Sequence, residues 1–185
     1  MFYHKRDMFK KFIPFAHAES IYDLPVEFFK AIGVKYVLTD LDNTLDSYRL
    51  MKPKQRAIDY IDNLIDNGIT PIIISNNKGR RVRSYAMALG VDYIWGAGKP
   101  FARNILKFIN SKGIDKSDTI LIGDQLITDV WCGYHAGIRV IWTNKLVKED
   151  QWTTHINRIF ERIIKRYHYK HGNIREWSDV YGSKN

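Results

Sequence analysis

The stretch Tyr36-Val37-Leu38-Thr39-Asp40-Leu41-Asp42-Asn43-Thr44-Leu45 decides the fold. Its first four residues form an apolar, β-branched run without alternation, the pattern of a strand covered on both faces. The run leads directly into two aspartates separated by one residue. Four more runs of the same kind follow at Pro71–Ile74, Asp92–Trp95, Thr119–Ile122 and Arg139–Trp142. The intervals between them predict helices over about 53–67, 79–89, 100–112 and 126–136. The first of these has Pro53 at its start and Asn67-Gly68 at its end, which is the start and stop chemistry of a helix. Strand and helix in strict alternation predict a three-layer, doubly wound α/β fold, Rossmann-like, on a parallel five-stranded sheet.

In such sheets the functional groups gather beyond the carboxyl ends of the strands. That rule selects Asp40, Asp42 and Thr44 after the first strand, Ser75, Asn76 and Asn77 after the second, Lys99 after the third, and Gly123, Asp124 and Asp129 after the fourth. Three or four carboxylates on one rim repel one another, and a divalent cation together with Lys99 is the simplest compensation. Oxygen-only ligands favour Mg²⁺ over zinc. A hard cation, a lysine, a hydroxyl and free amides at a helix start suit a phosphoryl group, so phosphoryl transfer is the natural reaction class. Taken alone, Asp-x-Asp is a common pair of turn formers.

The order and spacing of Asp40-x-Asp42-x-Thr44, Ser75, Lys99 and Gly123-Asp124 through Asp129 resemble the four motifs of the haloacid dehalogenase superfamily of phosphohydrolases. The resemblance implies that Asp40 attacks phosphorus and becomes an aspartyl-phosphate. Asp42 would protonate the leaving oxygen and then deprotonate the hydrolytic water. Asp40 and Asp124 would hold Mg²⁺ together with the backbone carbonyl of Asp42, with Asp129 acting through water or one shell further out. Ser75, Asn76 and Lys99 would bind the phosphoryl group, and Thr44 would orient the loop. An aspartate at Asp42 implies rapid turnover of the intermediate, which separates a hydrolase from a pump or a dehalogenase.

Length and charge refine the expectation. The 185 residues suit a single domain with an arm and helix over 1–35, a catalytic core over 36–144 and an amphipathic helix with a basic tail over 145–185. The composition, 45% hydrophobic and 26% charged, is that of a globular protein. A lone cysteine, Cys132, excludes an internal disulfide framework and suits a reducing compartment. No apolar run approaches the ~20 residues that span a bilayer. A cytoplasmic chain is expected. Of the net charge of +9, most sits at the ends: four basic residues against one acid over 1–11, and nine against five over 145–185. Basic ends suit an anionic partner, or they serve solubility alone.

Neither gap between motifs leaves room for a cap domain. An open site needs its substrate or a partner to exclude water, which favours a large substrate with a protruding phosphate. Trp152, Ile156, Ile159, Phe160, Ile163, Ile164 and Tyr167 recur at helical spacing, with Arg158, Arg162, Lys165 and Arg166 elsewhere on the circumference. Such a helix either lies in a lipid headgroup layer or packs on the sheet. Phe9, Phe12, Ile13 and Phe15, interleaved with Lys10 and Lys11, leave the same two options. Cys132 and His135 suggest either a second site or packing. Segments from Phe12-Ile13-Pro14 through Ser20-Ile21-Tyr22-Asp23, the four motifs and the helix 152–162 are similar to the YqeG family of capless phosphatases, related to mitochondrial phosphatidylglycerophosphate phosphatase. That resemblance implies phosphatidylglycerophosphate as substrate, met peripherally at the inner face of the membrane. The segment Trp131-Cys132-Gly133-Tyr134-His135 departs from the glycine-rich pattern of the family. A nucleic-acid-end, nucleotide or sugar phosphatase, and a non-catalytic adaptor on the same fold, are the rival readings.

Overall fold

The computed structural model describes residues 9–77, 79–147 and 155–183, with only the backbone over 155–159. Six parallel strands form one sheet: β1 (Ala16–Ala18), β2 (Tyr36–Asp40), β3 (Thr70–Ser75), β4 (Asp92–Trp95), β5 (Thr119–Gly123) and β6 (Arg139–Thr143). Their order is β1-β6-β5-β2-β3-β4. The chain builds outward from β2 to β4, then returns to the other side for β5 and β6. The reversal falls between β2 and β5, where crossovers leave in opposite directions and open a crevice at the carboxyl ends. Asp40 ends β2, and Asp124 directly follows β5.

The sheet is buried on both faces because its side chains alternate between two apolar layers. Ile73, Ile120 and Ile122 enter one layer, and Ile72, Ile74 and Leu121 enter the other. Helices α1 (Val26–Ala31), α2 (Gln55–Asp66) and α3 (Arg80–Leu89) cover the first face through Phe28, Ile61, Leu64 and Tyr85. Helices α4 (Arg103–Lys112), α5 (Trp131–Ala136) and α6 (His155–Lys170) cover the second through Ile105, Ile109, Ala136 and Ile164. A last helix, α7 (Trp177–Gly182), returns to the first face through Val180. Only α2 lies between β2 and β3, and only α3 between β3 and β4, so the described residues carry no cap.

The sixth strand corrects the expected five. Ala16-His17-Ala18 is three residues long and lacks the β-branched signature, yet it pairs in register with Ile141, Trp142 and Thr143. Pairing with the last strand rather than the next one is invisible to a local pattern. His17 is buried there, with Nδ1 3.0 Å from Glu176 and its ring 4.7 Å from that of Trp142. A second difference concerns the predicted helix over 126–136, which is a π-helical turn at Leu126–Val130 followed by α5.

The termini pack more than the sequence pattern required. Phe9 lies 4.7 Å from the ring of Tyr167, Phe12 is buried against Trp131, and Lys11 stands over the Trp131 ring at 3.9 Å. The apolar stripe expected on α6 is divided. Glu161, Ile164 and His168 face inward, while Phe160 and Ile163 are each 58% exposed. Trp152 and the charges over 1–8 lie outside the described residues, as do the side chains of Ile156, Arg158 and Ile159. Among the described residues, no helix is long and apolar enough to cross a membrane.

Candidate active site

Adjacent parallel strands deliver Asp40 and Asp124 to one rim, and the π-helical turn brings Asp129 back beneath them. Single carboxylate oxygens of Asp40, Asp124 and Asp129 all lie within 4.8 Å of one another. All three residues are buried, at 5%, 2% and 0% exposure. The Lys99 ammonium joins two of them, donating to Asp40 Oδ1 at 2.5 Å and to Asp129 Oδ1 at 2.6 Å. The second oxygen of Asp129 accepts from the Gln125 amide at 3.0 Å and the Thr128 hydroxyl at 3.2 Å. Asp129 is thus held from three directions.

This crowding shows in the protonation of the group. Burial is the largest influence and pushes the Asp40 carboxyl well above the usual carboxylate range; Lys99 opposes it, and Asp129, Asp42 and Asp124 add to it. Burial alone would push the Lys99 ammonium down, but Asp129 and Asp40 outweigh it and hold its pKa above the ordinary lysine value. One lysine for three carboxylates leaves a deficit of positive charge. The donor set, all oxygen and all carboxylate, fits a hard divalent cation. Nearby in the loop after β2, the buried Asn43 Oδ1 and Thr44 Oγ1 have no hydrogen-bond partner among the described residues.

The Asp42 carboxylate stands apart from this triad. Its Oδ1 accepts from the Arg81 guanidinium at 2.6 Å, and its Oδ2 accepts from Asn77 Nδ2 at 2.8 Å and Ser75 Oγ at 3.1 Å. Ser75 is therefore turned toward Asp42. Asn76, expected to touch substrate, instead forms a two-way pair with the Lys99 backbone: its Nδ2 donates to the Lys99 carbonyl, and its Oδ1 accepts from the Lys99 amide, both at 2.8 Å. It fixes the start of the segment that carries the ammonium. Thr44 is fully buried, which suits an orienting role in the loop better than direct contact.

Sequence reasoning missed Arg81, Asn77 and Asp46. Asn77 had been grouped with Ser75 but given no role, and Arg81 lies only two residues after Gly79, at the start of α3. Asp46 is buried and accepts from Tyr85 Oη at 2.6 Å and the Lys54 amide at 3.0 Å, which ties the loop after β2 to α2 and α3. The suggested pair of Cys132 and His135 is accounted for by packing. Burial pushes the Cys132 thiol up to about 12, and His135 Nδ1 lies 2.9 Å from the Pro100 carbonyl.

Gly123 is required by the close approach of Asp129. A Cβ there would lie 2.2 Å from Asp129 Cγ and 2.6 Å from its Cβ, so the whole side chain would have to move. Moving it disturbs Lys99 as well. Gly123→Ala is expected to lower kcat by about 10²-fold through misplacement of the cluster, read by steady-state assay on protein whose circular dichroism is unchanged.

A profile described as haloacid dehalogenase-like hydrolase matches residues 3–143. The chain belongs to that family. It is 33% identical over 173 residues to the Bacillus subtilis protein named "Probable phosphatase YqeG", across 93% of this chain and 100% of the relative. Among solved structures, a Vibrio cholerae protein assigned as 3-deoxy-D-manno-octulosonate 8-phosphate phosphatase superposes with a TM-score of 0.51 at 15% identity, covering 75% of this chain and 88% of that one. An uncharacterised protein from Listeria monocytogenes serotype 4b gives a TM-score of 0.50 at 15% identity over 72% of this chain and 99% of its own. These two likenesses concern the fold. As a family member with the carboxylate cluster in place, the chain is an enzyme of the hydrolase class.

Proposed function

We propose that this haloacid dehalogenase-like phosphatase acts through an aspartyl-phosphate on Asp40, with Mg²⁺ held by Asp40, Asp124, Asp129 and the Asp42 backbone carbonyl. The observation that carries the reading is the buried triad bridged by Lys99. When bound, Mg²⁺ compensates the carboxylates and polarises the phosphoryl oxygens. A carboxylate oxygen of Asp40 attacks phosphorus in line, the bond to the leaving oxygen breaks, and the Asp42 carboxyl gives that oxygen its proton. The Asp42 carboxylate then takes a proton from water, whose oxygen attacks phosphorus, releases inorganic phosphate and restores Asp40. Lys99 faces the charge that builds on the transferring group. Ser75, Asn77 and Arg81 present donors now occupied by the Asp42 carboxylate, and an incoming phosphate competes for that same set.

Loading of the metal is measurable without turnover. A ligand that binds only the folded state at 100 times its Kd adds about 2.7 kcal/mol of stability. Saturating Mg²⁺ is expected to raise the melting temperature of the wild type by several degrees, and Asp124→Asn should abolish that rise in differential scanning calorimetry.

The substrate we assign is phosphatidylglycerophosphate at an anionic membrane surface. The site has no cap among the described residues. Segments leaving the carboxyl ends of the strands expose Met51, Trp95 and Phe101, at 51%, 55% and 67%. Apolar side chains beside the mouth, with Phe160, Ile163, Arg162 and Arg166 on α6, suit contact with a charged lipid layer. The test offers purified protein and Mg²⁺ three kinds of ester: phosphatidylglycerophosphate in mixed micelles, a 3′-phosphorylated oligonucleotide and a panel of sugar phosphates. Highest kcat/KM on the lipid is expected. Preference for the oligonucleotide or a sugar phosphate would overturn the lipid assignment.

A further inference from the structure

A cavity adjoins the triad on the side of β6. It has a volume of about 360 Å³ and is lined by Asp124 and Leu126, by the end of β6 and the residues after it, and by one face of α6. Asp124 therefore belongs to both the carboxylate cluster and this cavity. Three basic side chains line it, Lys145 from the segment after β6, and Arg162 and Lys165 from α6. The Lys165 ammonium stands 4.6 Å from the ring centroid of Trp142, whose indole N–H donates to the Asp124 carbonyl at 3.0 Å. One wall thus connects the cation to the backbone beneath the catalytic carboxylates.

Two further observations bear on what the cavity takes. Thr143 lines the cavity and is 1% exposed, and its buried hydroxyl has no hydrogen-bond partner among the described residues. Glu161, the other acid there, is 7% exposed and accepts from the Ile127 amide at 3.1 Å. Its charge is committed to holding α6 against the π-helical turn that carries Asp129. The lining thus combines Arg162 and Lys165 of α6, the already engaged Lys145 and Glu161, and a buried hydroxyl, next to the Asp124 carboxylate. A small negatively charged group is matched by the cations and the hydroxyl at the polar part of this lining.

We propose that this cavity binds a second anionic group of the substrate, beyond the scissile phosphate on the β6 side of the site. The inference rests on the phosphatase reading above and adds a specificity determinant to it. Arg162 and Lys165 hold the second charge, Thr143 gives it a hydroxyl hydrogen bond, and Glu161 positions the helix that carries both cations. The shared chemistry is a second anion at a fixed distance from a phosphomonoester. A lipid headgroup supplies it as a phosphodiester, and a phosphorylated sugar acid supplies it as a carboxylate.

The test separates binding from turnover. Glycerophosphoglycerol carries the phosphodiester without a cleavable monoester, and gluconate carries the carboxylate of a sugar acid. Both are titrated into the Mg²⁺-loaded protein by NMR, with glycerol as the neutral control. Saturable binding of one of them, weakened at least tenfold in the double variant Arg162→Gln, Lys165→Gln, is expected. The one that binds more tightly tells the headgroup source from the sugar-acid source. Binding no tighter than glycerol, or unchanged in the variant, would overturn the proposal. In a second arm, the ratio of kcat/KM for glycerophosphoglycerophosphate to that for p-nitrophenyl phosphate should fall about tenfold in the variant. An equal loss on both esters would mean that the cations act on folding or on the monoester itself, and would also overturn it. Failure of the catalytic reading looks different, because then the wild type hydrolyses neither ester while the binding result stands.

Discussion

Asp40→Asn protein is expected to fold like the wild type and to hydrolyse phosphate esters on the order of 10⁶-fold more slowly, the scale of loss when a covalent nucleophile is removed. An amide keeps the shape of the carboxylate but cannot attack phosphorus to form the acyl-phosphate. The fold should tolerate it, because Lys99 retains Asp129 at 2.6 Å. Replacing one carboxylate of a crowded buried set by a neutral isostere also relieves repulsion from Asp129, Asp42 and Asp124. Activity and stability therefore separate in this variant. A steady-state assay with a sensitive phosphate readout, set beside a thermal melt, checks both halves. Retention of even one-hundredth of the wild-type rate would remove Asp40 from the role of nucleophile.

Lys99→Met behaves differently, because the ammonium supports both the fold and the chemistry. Its side chain is 3% exposed and pairs with two buried carboxylates. Removing one partner of a buried pair typically costs about 3–5 kcal/mol, since the remaining charges stay in a medium that solvates them poorly. Metal-free Lys99→Met should accordingly unfold at markedly lower denaturant concentration than the wild type. Added Mg²⁺ should restore more of the stability of the variant than it adds to the wild type, because the cation then relieves a larger excess of negative charge. Turnover with Mg²⁺ should still fall on the order of 10³-fold, as for a lost donor to a developing oxyanion. Equal denaturation midpoints for the metal-free proteins would contradict the claim that Lys99 neutralises the cluster.

The meeting of the carboxylates on one rim was legible in the sequence because its signal is local. Asp40 ends β2 and Asp124 directly follows β5, Lys99 and Asp129 come within the next six residues after their strands, and five of the six strands show the apolar pattern in their own composition. What escaped notice depends on distant partners. β1 has no apolar signature of its own and exists through its register with β6. Arg81 sits among polar residues at the start of α3, and nothing nearby says that its guanidinium reaches back to Asp42. The helical period of α6 was legible, but which of its residues turn inward was not: Glu161 and His168 are buried with Ile164, while Phe160 and Ile163 are exposed. A hydropathy pattern assigns acids to solvent, and Glu161 breaks that rule by capping the Ile127 amide. The continuous helix expected over 126–136 failed for a related reason. The Asp129 and Val130 amides both bond to the Gln125 carbonyl, widening the first turn so that Asp129 points at Lys99.

The YqeG likeness and the structure also bear jointly on the unusual segment after Asp129. Gly133 lies where a Cβ would be 2.0 Å from Val140 Cγ2 and 2.9 Å from the Ile138 carbonyl, so α5 packs on β6 with no space between. A single glycine there meets the need for close approach. Trp131 packs on the ring of Phe12, Cys132 is fully buried and the exposed His135 stacks on Phe101.

The covalent intermediate is the claim on which the rest depends, and one measurement addresses it. Asp42→Asn protein retains the nucleophile but lacks the base for the second step, so hydrolysis of the intermediate should slow by about 10²–10⁴-fold. Incubated with Mg²⁺ and a ³²P-labelled phosphomonoester with a good leaving group, then quenched in acid and digested, it should yield label on the peptide containing Asp40, releasable by hydroxylamine. Label on another residue, or no label in protein that still releases phosphate, would contradict the mechanism.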